Sequence, residues 1–145
     1  MWVGEDKLKS VITSLARAFS PRVQDPVTFV QATRVLPLVT KDGVQIDLIF
    51  GQLPYEQEAI RRAATERIHA VDVRVCQPED LVIHKLVSER PQDREDVRGI
   101  IQLQAARLDR TYLDAKVAAL ASELGRSDIM TWYEQCWREA SETGV

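Results

Sequence analysis

Hydrophobic and polar positions follow two different periods along this chain. The first period is helical, because apolar residues recur every three or four positions near the N-terminus. These residues are Leu8, Val11, Ile12, Leu15 and Phe19. Two β-rich runs then flank Asp42-Gly43, which predicts a hairpin of roughly 33–40 paired with 44–50. From Pro78 onward the pattern is helical again and predicts four helices, over about 78–89, 92–108, 111–124 and 127–141.

Shorter patterns predict the elements between these regions. The stretch PVTFV at 26–30 favours a short strand, and Pro54 opens a predicted helix over about 55–67. Apolar and polar residues alternate over 70–76, which predicts a half-buried strand. Pro37 has no N–H to donate, so we expect the first hairpin strand to lie at an edge or a bulge.

The order of these elements predicts an α+β fold, with a small mixed β-sheet first and a C-terminal helical region after it. A chain of 145 residues is long enough to bury its own core. We therefore expect a single domain over 1–145, in which 1–76 hold the sheet with its helices and 77–145 form the helical part.

Composition narrows the classes of function. A net charge of −3 leaves no strong nucleic-acid signal. No apolar run approaches 18 residues, so no transmembrane helix and no membrane partner are expected. Cys76 and Cys136 are far apart in sequence, which favours reduced thiols and a cytoplasmic location. The phosphate-loop, dinucleotide-binding and nucleophile-elbow motifs are absent from the sequence.

An acidic residue in the middle of a predicted strand is the first candidate for chemistry. Asp47 lies between Ile46 and Leu48 in VQIDLIF, although Asp is depleted in strands. It belongs either to an exposed polar face or to a metal or substrate site.

The second candidate is the stretch PEDLVIHKLVSERPQDREDV at 78–97. Lys85 lies beside the apolar face of its helix, where it either snorkels to water or serves a site. Asp93 and Asp96 are spaced as an N-cap pair that opens the next helix, or as members of the same site. Glu79 and Asp80 suit the first turn of a helix, where the dipole favours negative charge.

The order of these motifs resembles the bacterial nucleotidyltransferase-like proteins of the polymerase-beta superfamily. The similarity is greatest to minimal nucleotidyltransferases and to nucleotidyltransferase toxins of the abortive-infection type. It rests on VQIDLIF, then VDVRV, then 78–97, and it extends to LDRTYLDAKVAALASELGR. The resemblance implies that Asp47 is one of three metal-binding carboxylates, and that Lys85 and Asp93 handle the nucleotide. Arg90 and Asp96 belong to the same signature.

The resemblance also implies that two expected carboxylates are missing. In such proteins an Asp-x-Asp pair directly precedes a strand end like MWVG, so here the pair would lie upstream of Met1. Glu5 and Asp6 look like helix-capping residues rather than replacements. A complete enzyme would bind Mg²⁺ and an NTP. We expect a truncated domain that is inactive by itself, with a weak nucleotide or anion site at Lys85, Arg90 and Asp96.

Two alternatives stay open. The chain is part of an active Mg²⁺-dependent enzyme whose missing motif is supplied upstream or in trans, or it is an antitoxin-like interaction protein. An incomplete sheet exposes an edge and apolar surface, which chains often cover by self-association. The sequence therefore also predicts a homodimer, with a further protein as a possible partner.

Overall fold

A computed structural model describes residues 1–142. The chain forms two compact units, Met1–Arg61 and Arg62–Val145. The predicted single domain, with its parts 1–76 and 77–145, stays a prediction, and residues 143–145 of the second part lie outside the described residues. The elements in chain order are α1 (Glu5–Ala18), β1 (Ser20–Pro21), α2 (Pro26–Thr33), β2 (Val35–Val39), β3 (Gln45–Ile49), α3 (Pro54–Arg62), β4 (Ala64–Ile68), β5 (Val71–Val75), α4 (Pro78–Val87), α5 (Pro91–Gln104), α6 (Arg110–Leu124) and α7 (Ser127–Glu142).

The first unit contains an antiparallel sheet in the order β1-β2-β3. The hairpin predicted around Asp42-Gly43 is confirmed, and Gly43 has a positive φ of 83° that suits glycine. One face of the hairpin packs with α1 and α2 into a buried apolar cluster. Its members are Leu8, Ile12, Val30, Leu36, Leu38 and Phe50.

Pro37 lies in β2, the central strand, and β2 pairs with β3 in a continuous register, so the prediction that its strand lies at an edge or a bulge was wrong. Pro37 is opposite Asp47 on β3. Arg34–Phe50 and Thr40–Val44 are hydrogen-bonded pairs of this hairpin, because Phe50 N–H donates to the Arg34 carbonyl and Thr40 N–H donates to the Val44 carbonyl. Bonded and non-bonded pairs alternate along an antiparallel ladder, so Pro37 and Asp47 form a non-bonded pair. The nitrogen of Pro37 therefore faces β1, which ends there after a last bond from Arg22 N–H to the Pro37 carbonyl (2.9 Å).

Two predictions near the N-terminus are corrected. Residues 26–30 are helical instead of extended, because Asp25 caps α2 by accepting bonds from the N–H (3.1 Å) and hydroxyl (2.7 Å) of Thr28, with Pro26 in the first turn. The N-cap of α1 is Gly4, which makes no side-chain cap bond, so Glu5 and Asp6 lie within the first turn instead of capping it.

The second unit begins with a hairpin of β4 and β5, and the sequence predicts only the second of these strands. The predicted helix over 55–67 ends at Arg62, and β4 follows it and pairs with β5. The intervening turn begins at His69, whose φ is 54°. The prediction that 70–76 are half-buried was also wrong, since the β5 side chains are exposed, Val71 at 63%.

Four helices follow β5 in the described part of the second unit, as predicted. Gly125, with a φ of 63°, ends α6. A stripe along α7 is buried in the core and consists of Ile129, Tyr133, Cys136, Trp137 and Ala140. The predicted α+β class with a C-terminal helical region is confirmed, although the strands form two antiparallel sheets. Within residues 1–142, no helix combines the length and apolarity needed to cross a bilayer.

Candidate functional site

Lys85 lies at the centre of an ion-pair network between α4 and α5. The last turn of α4 carries Lys85, and the first turn of α5 carries Asp93. The three-residue connection over 88–90 holds these two helix ends together. The Nζ atom of Lys85 lies 2.9 Å from Oδ1 of Asp93 and 2.6 Å from Oδ2 of Asp96. We call Lys85, Ser88, Arg90, Asp93 and Asp96 the Lys85 network.

Asp93 is the buried member of the network, with only 3% of the residue exposed. Besides the Lys85 bond, its carboxylate accepts bonds from Ser88 Oγ and Arg90 Nε, both at 2.6 Å. The N-cap of α5 is Arg90, so the interpretation of Asp93 as an N-cap was wrong. Asp93 instead joins three donors from the preceding eight residues of chain.

The network is charged at neutral pH. Hydrogen bonds from Ser88, Lys85 and Arg90 hold the pKa of Asp93 well below its usual range. Bonds to Asp96 and Asp93 raise the pKa of Lys85, so its amine is protonated and is not available as a general base. A bond from Lys85, with a second from Gln92, lowers the pKa of Asp96.

Arg90 is the most solvent-exposed member of the network, and Asp96 is 34% exposed. The side chain of Arg90 is 80% exposed and that of Lys85 is 23% exposed, while that of Asp93 is 5% exposed. The contact from Arg90 to Asp93 uses Nε, which leaves the two terminal nitrogens of the guanidinium on the solvent side. An arriving anion would therefore meet Arg90 before any other group of the network.

Asp47 belongs to the other unit. Its side chain lies on the exposed face of β3, 61% accessible, and forms an ion pair with Arg22. Arg22 also donates to Gln45 Oε1 at 3.2 Å. The structure thus brings four of the five predicted site residues together in the Lys85 network, and it places Asp47 on the sheet of the first unit.

The residues around Asp47 do not fit a magnesium ion. Mg²⁺ requires near-octahedral oxygen coordination, usually with carboxylates. The Asp47 carboxylate is paired with a guanidinium, and no group of three or more His, Cys, Asp or Glu in residues 1–142 is arranged to hold a metal. The carboxylate that the resemblance assigns to the metal is therefore engaged in an ion pair.

A second polar cluster was missed at the sequence level. Asp80, 2% exposed, accepts a bond from Arg62 Nε (2.9 Å) and another from the Tyr112 hydroxyl (2.7 Å). The guanidinium of Arg62 lies 3.9 Å from the centroid of the Tyr112 ring. Glu79 accepts from the N–H of Asp109 at 2.9 Å. Glu79 and Asp80 suit the first turn of α4 by themselves, so the sequence indicates no partner for either acid. The Tyr112 hydroxyl that binds Asp80 is 32 residues away, and no local pattern points to it.

A match to a family profile places the protein in the nucleotidyltransferase-like class. A family profile matches residues 26–130, which include β2, β3 and the whole network. The chain belongs to this family, which is described as nucleotidyl transferase of unknown function (DUF2204). Among curated proteins compared with the chain, none matches it significantly.

Proposed function

We propose that residues 1–145 form a nucleotidyltransferase-like domain that does not transfer nucleotides by itself and that keeps a weak site for the phosphates of an NTP at Lys85 and Arg90. The observation that carries the binding part is the exposure of Arg90 above a buried carboxylate. Asp93 fixes the guanidinium through Nε, and the outer nitrogens face solvent. Guanidinium groups held in this way bind phosphate oxygens through two parallel bonds.

The site is weak because its charges are already balanced. Lys85 and Arg90 are opposed by Asp93 and Asp96 within the network. An NTP phosphate gains from the two cations and is repelled by the more exposed acid, Asp96, whose side chain is 34% accessible. We therefore expect binding that salt weakens strongly.

A matched pair of arginines tests this site. Arg90 forms an ion pair with an acid three residues away and is 80% exposed, and Arg61 does the same with Glu58 at 73% exposure. Arg90→Gln should abolish the stabilisation by an NTP, and Arg61→Gln should keep it. Thermal unfolding with and without NTP measures both. Equal shifts in the two variants would remove Arg90 from the site.

The proposed lack of nucleotidyl transfer rests on the metal ligands available at Asp47. One carboxylate in an ion pair with Arg22 cannot hold the metal on which this class of chemistry depends. We expect the purified chain to incorporate no radiolabelled nucleotide. Incorporation that disappears in Asp47→Ala would contradict this part of the proposal.

An active enzyme completed by further carboxylates is the second candidate. It is favoured by the position of Asp47 on the exposed face of β3, where side chains from a neighbouring strand would lie beside it. Genomic codons in frame ahead of Met1 that encode a Gly-rich turn and Asp-x-Asp would support this candidate. Transfer that appears only when those residues are present would establish it.

We also propose the oligomeric state, the location and the interaction role that the sequence predicts. A homodimer is tested by sedimentation at tens of micromolar, where a monomer alone would contradict it. A cytoplasmic location and an antitoxin-like role of this chain, with a further protein as its partner, follow from the sequence argument. Pull-down from the source cytoplasm with an Arg90→Gln control tests the second.

A further inference from the structure

The outer edge of β5 is exposed, and its sequence is complementary to itself. The strand Val71–Val75 reads Val-Asp-Val-Arg-Val, and all of its residues are exposed. The exposed fraction is 63% for Val71, 37% for Val73 and 38% for Val75. Among residues 1–142, the strand that pairs with β5 is β4, so β5 ends this sheet. An exposed edge strand with apolar side chains is a template for pairing with another strand.

The turn between β4 and β5 determines which backbone groups lie along that edge. Ile68 and Val71 flank a two-residue loop and form the hydrogen-bonded pair that closes it. Bonded and non-bonded pairs alternate along an antiparallel ladder, so the backbone groups of Val71 and Val73 face β4. Those of Asp72 and Arg74 consequently point away from β4, toward the outer edge.

We propose that the outer edge of β5 is the docking surface for a second copy of this chain, whose β5 pairs with it antiparallel about a two-fold axis at Val73. In this register Asp72 of each copy lies opposite Arg74 of the other. Both residues have outward backbone groups, so each such pair exchanges its two backbone bonds, and the two Val73 residues form the non-bonded pair on the axis. This inference rests on the homodimer proposed above and names its surface.

The charges of β5 select this register and this occupant. A shift by two residues in either direction would place Asp72 opposite Asp72 or Arg74 opposite Arg74, and like charges directly opposite are destabilising. A shift by one residue would place Val73, whose backbone groups face β4, opposite Asp72, and no bonded pair would form. An antiparallel copy of β5 itself therefore satisfies both the backbone groups and the charges of this edge.

The polar face of the hairpin accommodates the added ion pairs. Asp72 already accepts a bond from Nη1 of Arg67 on β4 at 2.7 Å, and the two side chains are 60% and 63% exposed. A carboxylate has two oxygens, so Asp72 can bind Arg67 and Arg74 of the second copy together. A guanidinium has five N–H donors, so Arg74 can reach the second copy and keep its other contacts.

The apolar face gains contacts in the same arrangement. Residues paired across a ladder point to the same face, and Val71 lies beside Ile68 of β4. Across the axis, Val71 of one copy meets Val75 of the other, and Val73 meets Val73. The pairing therefore removes valine surface from water on one face while it forms ion pairs on the other. This surface lies in the second unit and does not include any residue of the Lys85 network.

Charge reversal in the full chain tests the pairing. Asp72→Arg and Arg74→Asp should each weaken dimerisation by about tenfold or more, because each puts like charges opposite across the axis. An equimolar mixture of the two variants should dimerise again, since the substituted residues then face each other with opposite charge. Arg67→Gln is the matched control, because it removes the ion pair within the hairpin and should leave the dimer intact. Sedimentation equilibrium at tens of micromolar measures all four samples and the wild type.

Cross-linking provides a second test that does not require the reversed variants to fold. The non-bonded pair on the axis places its Cα atoms about 4.5 Å apart, within the range that a disulfide spans. In a Cys76→Ser background, Val73→Cys should form a covalent dimer on oxidation. Val71→Cys is the control, because residue 71 is more exposed but lies opposite Val75 of the other copy.

The outcomes separate this surface from the homodimer in general. A wild type that stays monomeric at tens of micromolar would overturn both. A dimer that survives both charge reversals, or that cross-links equally at residues 71 and 73, would overturn the β5 edge and leave a homodimer formed elsewhere. Loss of the dimer in both reversals without recovery in the mixture would likewise overturn the β5 pairing. Phosphate binding at the Lys85 network is measured separately and does not depend on any of these results.

Discussion

Lys85 on α4 and Asp93 on α5 form an ion pair of 2.9 Å whose two members differ greatly in exposure. The carboxylate is 5% exposed and is held by three donors, while the ammonium is 23% exposed and also reaches Asp96. A substitution at the buried carboxylate of Asp93 should therefore lower the stability of the fold more than a substitution at the more exposed Asp96.

The first prediction compares the two carboxylates that share Lys85. Asp93→Asn should lower the thermal midpoint by several degrees, because the amide cannot accept all three donors and the donors lose a charged acceptor. Asp96→Asn should lower it by less than half as much, because Asp96 is 34% exposed and water replaces its bonds. Similar losses in calorimetry would show that the buried position of Asp93 is energetically unimportant.

The pH dependence of stability should change with Asp93. Its pKa is lowered in the folded state, so its stabilising effect is complete above the unfolded value of about 4 and is lost as the pH falls through the folded value. The free energy of unfolding of the wild type should thus decline below about pH 4. Denaturant titrations from pH 6 to 2 should show a shallower decline in Asp93→Asn, and parallel curves would contradict the assignment.

The buried Asp80 provides a third prediction. Tyr112→Phe removes one of its two bonds and should destabilise the second unit by about 1 kcal/mol. Arg62→Met leaves the carboxylate buried without its cation and should cost about 2–3 kcal/mol, reduced from a fully buried pair because Arg62 is 28% exposed. Chemical denaturation of the two variants checks the order of these costs.

Two glycines with open surroundings should respond to alanine in opposite directions. A Cβ at Gly99 or at Gly125 meets no atom within 4 Å. Gly99 lies inside α5, so Gly99→Ala should stabilise by about 0.5–1 kcal/mol. Gly125 has a φ of 63° and donates to the carbonyl of Ser122 at the end of α6, so Gly125→Ala should destabilise by about 1 kcal/mol. Changes of the same sign would contradict the role of φ.

The sequence predicted elements wherever local signals agreed with the final contacts. Asp42-Gly43 marked its hairpin, and Gly125 marked the end of α6, because turn and cap geometry depend on the residues themselves. The strand β4 was missed because Ala64, Glu66 and Arg67 favour a helix, and pairing with β5 overrides that preference. Residues 26–30 were misassigned because the capping role of Asp25 was overlooked.

In the candidate site, too, the sequence predicted contacts between residues that are close along the chain and missed contacts between distant ones. Lys85, Arg90, Asp93 and Asp96 are close in sequence on consecutive helices, so their meeting depends on one short connection. The cluster of Arg62, Asp80 and Tyr112 depends on contacts 18 and 32 residues apart, for which the sequence contains no local signal. The ion pair of Asp47 with Arg22 likewise joins β3 to the residue after β1, and only the pairing of both strands with β2 brings them together.

The most direct test of the account is equilibrium binding of an NTP to the wild type, Arg90→Gln and Asp47→Ala, each with and without Mg²⁺. A ligand at 100 times its dissociation constant stabilises the folded state by about 2.7 kcal/mol, so thermal shifts follow the same binding. The account predicts binding that does not require Mg²⁺, is lost in Arg90→Gln and is retained in Asp47→Ala. Binding that requires Mg²⁺ and disappears in Asp47→Ala would contradict it and place the nucleotide at the sheet.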